Sequence, residues 1–151
     1  MPKALKISGF TITEIECNND GSFIQDEEYK THDRSWDAFA LSRPEIWSGK
    51  KFRLAFVCRD TFIKEDTDYN LLGTYLYRIL KHQNAVLDDI IFGPFFLMNE
   101  DRDGIIDLTV ADLKYILETA HEDINHANSP EMEFMMKTYL AIKIKFPELA
   151  D

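Results

Sequence analysis

From Lys51 to Asp60 the side chains alternate: Phe52, Leu54, Phe56 and Cys58 fall on one side, Arg53, Ala55, Val57 and Arg59 on the other. A period of two can bury its apolar row only as a strand, half-buried against something packed on one face. That segment commits the chain to a sheet. Further on, Leu113, Ile116, Leu117, Ala120 and Ile124 recur at helical spacing and form one apolar stripe. A sheet and at least one amphipathic helix must therefore share a core. With 151 residues, 45% of them hydrophobic, there is enough apolar surface for one core of ordinary size, so disorder is not expected.

The remaining segments fill in this frame. Residues 4–17 are rich in β-branched side chains and read as one strand. Its inward face switches at Gly9, from Leu5 and Ile7 to Phe10 and Ile12, which suggests a bulge. Asn18-Asn19-Asp20-Gly21 is a turn, with a short strand at Ser22–Gln25. Residues 26–50 are irregular: either Ser35 caps a short helix through Ser42, or Trp36–Leu41 is extended. Asp68 is positioned to cap a helix bearing Tyr69, Leu72, Leu76 and Ile79, ending around His82-Gln83-Asn84. Ile90–Met98 reads as a buried strand broken at Gly93-Pro94. Thr109 followed by Asp112 is an acidic capping box. Ser129-Pro130-Glu131 opens a last helix carrying Met135, Tyr139, Ile142 and Phe146. Residues 139–146 also alternate as a strand would, and helix is the preferred reading. The expected fold is a single α+β domain over 1–151, an antiparallel or mixed sheet with helices on one face and a helical last third.

Charge narrows the function classes. Twenty-seven acidic and 17 basic side chains leave −10, and residues 99–133 alone hold ten acids against Arg102 and Lys114. Such a field repels nucleic-acid phosphates and acidic lipids and attracts basic partners or cations. The longest apolar run, Ile90–Met98, cannot cross a bilayer as a helix. The first residues, Met1-Pro2-Lys3-Ala4-Leu5-Lys6, lack the apolar block of a secretory signal, so a cytoplasmic protein, or one that has lost a leader, is expected. Cys17 and Cys58 are too few for a disulfide scaffold or a four-ligand zinc site, and are expected as thiols.

The sharpest local pattern is Asn99-Glu100-Asp101-Arg102-Asp103-Gly104-Ile105-Ile106-Asp107-Leu108-Thr109. Alternating oxygen ligands with a turn glycine resemble the calcium loop of EF-hand and dockerin proteins. The resemblance implies calcium on the side chains of Asn99, Asp101, Asp103 and Asp107 and on the Ile105 carbonyl. It departs at the twelfth position, which is Val110 where a bidentate acid is needed, and at the preceding segment, which reads as strand instead of helix. The same residues also make sense as an acidic turn ahead of a helix. His121 and His126 lie five apart, which turns the second imidazole about 140° from the first on a helix and prevents a shared metal. No serine elbow, phosphate loop or dinucleotide fingerprint occurs, so an enzyme would have to work without a recognisable motif. Trp36 and Trp47 are either partner anchors or packing under a loop.

With no cofactor indicated beyond calcium, the surface charge carries the functional expectation. It is a non-enzymatic acidic protein that blocks a basic site on a partner, as immunity and antitoxin proteins block toxins or nucleic-acid-handling proteins. A phage-type nucleic-acid mimic is a variant, and a calcium module is the other class. The expected contact residues are Asp101, Asp103, Asp107, Asp112, Tyr115, Glu118, Glu122 and Asp123, with Asp112, Glu118 and Glu122 facing solvent opposite the Leu113–Ile116–Leu117 stripe.

Overall fold

The computed structural model describes residues 1–19, 23, 26–31, 36–40, 45–47, 50–59, 69–80, 90–125 and 131–150. The first segment is a hairpin and not one bulged strand. Strand β1 (Lys3–Ser8) turns through Gly9-Phe10 into β2 (Thr11–Glu16), with Ser8 opposite Thr11. Gly9 has φ 60, and glycine at the first of two turn positions is what one of the tight hairpin turns requires. A face switch at a glycine looks the same in sequence whether it marks a bulge or a turn. Phe10 consequently sits outside, 56% exposed, with its ring edge-on to Phe146. Ile12 does turn inward, half-buried against the core.

Helix α1 (Glu27–Thr31), β3 (Trp36–Ala40), β4 (Glu45–Trp47), β5 (Lys50–Phe52) and β6 (Leu54–Arg59) follow. Trp36–Ala40 is thus the extended alternative; Asp20 and Gly21 of the expected Asn18–Gly21 turn, and most of the strand expected at 22–25, lie outside the described residues. Helix α2 (Leu71–Leu80), β7 (Phe95–Asp101), β8 (Gly104–Ile106), α3 (Val110–Asn125), α4 (Glu131–Lys145) and a 3-10 turn at Pro147–Leu149 complete the order. Residues 139–145 are helical. The sheet runs β2-β1-β7-β6-β3 with every neighbour antiparallel, and β8 extends it beside the end of β7. The fold is α+β, with its last third in helices α3 and α4.

The three long helices cover one face. Leu5, Ile7, Phe56, Cys58, Phe95 and Leu97 of the sheet meet Leu72, Leu76, Leu113, Ile116, Leu117 and Ile142 of α2, α3 and α4. Full burial of side chains this size contributes about 1.5–3 kcal/mol each relative to exposure. Strand β6 is not half-buried as its alternation suggested, because Ala55 and Val57 on its other side are buried too. That second face is closed by Phe23, Tyr29 of α1 and Trp36, which gather around Phe96 at ring-centroid distances of 4.6, 5.9 and 5.4 Å. Trp36 is therefore packing, with its Nε1–H donated to the Tyr29 carbonyl; the Trp47 side chain lies outside the described residues. Cys58 and Cys17 are buried on opposite faces, which forbids a bridge between them.

Lys6 also points to the second face. Its ammonium pairs with Asp26 at 2.9 Å and Glu28 at 2.6 Å. Burial alone would lower its pKa, but the hydrogen bonds and charges of Glu28 and Asp26 outweigh that and hold it above the ordinary lysine value. Among the described residues no helix is long and apolar enough to cross a membrane.

Candidate functional site

The acidic segment forms a hairpin built on the middle of the sheet. Strand β7 pairs with β1 through Phe95–Leu97 and with β6 through Phe95–Asn99, then runs on through Glu100-Asp101 to turn at Arg102-Asp103 and return as β8. Asn99 is buried where the strand is still paired, and its Oδ1 accepts the Arg53 amide at 3.0 Å. At the tip, Asp101 Oδ1 accepts the Asp103 amide at 2.8 Å. That bond shapes the turn from within, as Asp does wherever its carboxylate reaches a backbone amide two residues on. Gly104, with φ 133, takes the chain into β8 through a conformation that a β-carbon would strain. Asp107 leaves the strand and accepts the Lys3 amide at 2.8 Å, and the next amide, Leu108, donates to the Lys3 carbonyl at 2.9 Å. Lys3 in turn faces Glu16 of β2 at 3.8 Å.

Asp101, Asp103 and Asp107 are all exposed on this hairpin and its exit, and Glu16, far away in sequence, joins them through Lys3. Fixed carboxylates on one rigid edge add their fields over a Debye length of about 8 Å at physiological salt. Glu16 was missed because strand pairing, not periodicity, brings it there. Asp112 stands at the start of α3, half-buried, and closes the expected capping box: Thr109 Oγ1 accepts its amide at 3.1 Å, and its Oδ2 accepts the Thr109 amide at 3.0 Å.

The rest of the expected surface goes elsewhere. Tyr115 is half-buried and packs on the helix-side core. Glu118 is partly exposed but already engaged: it accepts the Tyr139 hydroxyl at 3.1 Å and is bound by Lys143, both on α4. A helix wheel says which residues oppose the apolar stripe, but not that a second helix will flank it. The side chains of Glu122 and Asp123, like the whole of His126, lie outside the described residues.

This α3–α4 seam is a second polar cluster. Lys143 also donates to the Leu149 carbonyl at 2.7 Å, and the His121 ring stacks on Tyr139 with centroids 3.7 Å apart. Beside it, the Tyr75 hydroxyl is buried with no hydrogen-bond partner among the described residues, and burial, helped by Tyr139, raises its pKa above the ordinary phenol value. With Glu118 neutralised by Lys143 and the rings closely packed, the seam reads as a bond between helices. Its members come from three helices, and no local motif signals it.

As for calcium, Asn99 spends its oxygen on Arg53, while Asp101 and Asp107 each hold a backbone amide. Among the described residues no three His, Cys, Asp or Glu side chains gather in a way that would hold a metal ion. Compared with protein-family models, with curated proteins and with solved structures, the chain matches none.

Proposed function

We propose that this is a non-enzymatic acidic protein that occupies a basic site on another protein, in the manner of an immunity or antitoxin protein. The observation that carries the reading is the exposure of Asp101, Asp103 and Asp107 together on a hairpin rooted in the central strand. A loop already held by its own hydrogen bonds loses little freedom on docking, so less of the interaction energy goes into ordering it. The concentrated negative field speeds encounter with a lysine- and arginine-rich surface and selects against acidic competitors, nucleic acid among them. On this reading the protein works in the cytoplasm, beside a toxin or a nucleic-acid-handling target.

The test is capture from native lysate at low and high salt, with the wild type and with a triple variant, Asp101→Asn, Asp103→Asn and Asp107→Asn. Asparagine keeps the oxygens that accept the Asp103 and Lys3 amides, so the hairpin stays formed while its charge goes. One near-stoichiometric basic partner, held at low salt and weakened at least about tenfold in the triple variant, is expected. A partner that binds the triple variant unchanged, or no partner at either salt, overturns the reading.

A further inference from the structure

Strand β2 is the outermost strand on its side of the sheet, and among the described residues it pairs only with β1. Antiparallel partners bond through alternate residues. The phase here is set just beyond the strand, where the Cys17 amide donates to the Pro2 carbonyl at 2.9 Å. Counting back from Cys17, the residues that bond to β1 are Ile15, Thr13 and Thr11. Ile12, Glu14 and Glu16 therefore turn both their amides and their carbonyls away from the sheet. Edge strands that have no partner are commonly blunted by proline, bulges or charged side chains. Strand β2 has no proline and no bulge: it is six residues long, pairs in unbroken register from Thr11 to Glu16, and its charged residues are both glutamates, which disfavour an acidic strand and favour a basic one.

We infer that the outer edge of β2 accepts an extended segment of a basic protein as an added strand, with Lys or Arg standing opposite Glu14 and Glu16. The backbone supplies the bonds through Ile12, Glu14 and Glu16, and the side chains supply the choice of partner. Residues opposite one another across a strand pair share a face, so a basic side chain facing Glu14 or Glu16 meets an exposed carboxylate directly. Glu16 lies beside Lys3, whose amide Asp107 holds, so the edge and the acidic hairpin adjoin one another. The inference rests on the proposed function in one respect, that the partner is basic, and adds how it docks.

The probe is a short labelled peptide alternating lysine and threonine, titrated at low salt against the whole chain. Amide hydrogen exchange read by NMR is expected to show protection gained at Ile12, Glu14 and Glu16 and none at Thr13 and Ile15, which already bond to β1. Glu14→Pro removes one outward amide and leaves the β1 ladder whole, so it is expected to weaken the peptide about tenfold. Glu14→Gln, which removes only the charge, is expected to weaken it about threefold. Failure of the peptide to bind, or protection confined to Arg102 and Asp103 with β2 unchanged, overturns strand addition. If the hairpin variant Asp101→Asn, Asp103→Asn, Asp107→Asn loses the captured partner while Glu14→Pro keeps it, strand addition falls and the acidic-hairpin reading stands. Protection at β2 together with partner binding that is indifferent to the triple variant leaves strand addition standing and removes the hairpin from the function. Exchange on the wild type decides the matter even where Glu14→Pro does not fold.

Discussion

The amino ends of α2 and α3 are closed by the same kind of bond. Asn70 Oδ1 accepts the Gly73 amide at 2.8 Å, and Thr109 Oγ1 accepts the Asp112 amide at 3.1 Å. Their surroundings differ completely. Thr109 is exposed, so water competes for every group in its capping box. Asn70 is fully buried, and its Nδ2 donates to the Ile7 carbonyl at 2.9 Å and the Gly93 carbonyl at 2.8 Å. One side chain thus satisfies a helix end, the end of β1 and the turn before β7. The contrast teaches that a cap's importance depends less on its own bond than on how many buried groups are stranded when it goes.

The largest effect is therefore expected from Asn70→Ala, about 3–5 kcal/mol by urea denaturation, because an amide and two carbonyls lose their partner out of reach of water. A loss below about 1 kcal/mol would mean that water reaches the site and the comparison is empty. Asn70→Asp sharpens it. The carboxylate still accepts from Gly73 but turns an oxygen toward two carbonyls, so a loss of about 2–4 kcal/mol is expected, shrinking as pH falls and the acid protonates into a donor. Next comes Gly73→Ala. A β-carbon there would lie 2.8 Å from Asn70 Cγ and 3.1 Å from Phe95 Cβ, and a loss of about 1–3 kcal/mol from displaced packing is expected in thermal melts. The smallest effect belongs to Thr109→Ala, about 1 kcal/mol, with α3 fraying first by amide exchange and the rest of the sheet unchanged.

The same contrast explains how far the sequence could be read. The Thr109–Asp112 box was legible because both partners lie within one turn and the rule is local. At α2 the local rule pointed to Asp68, whereas the helix begins at Leu71 and Asn70 holds its end. What selects Asn70 is an amide that can donate to two carbonyls from other parts of the chain, a requirement that no window of sequence contains. The strand core was legible at β6, where the period-two pattern gave the right inward row. The burial of its other side was not, since it depends on Phe23, Tyr29 and Trp36 folding back over the sheet. For the candidate site, the acidic run gave Asp101, Asp103 and Asp107, while Glu16 and the occupation of Glu118 by Lys143 needed pairings between distant elements.

Lys3 and Leu5 carry a consequence for how the protein is made. Strand β1 lies inside the sheet with Leu5 opposite Leu97, and its start is laced to Asp107 and Leu108. During synthesis the β1–β2 hairpin emerges early and then waits, one apolar side open, until β7 and the turn after it have left the ribosome. Closure over that span of chain is slow relative to local pairing, and an open strand edge in the meantime invites the wrong partner.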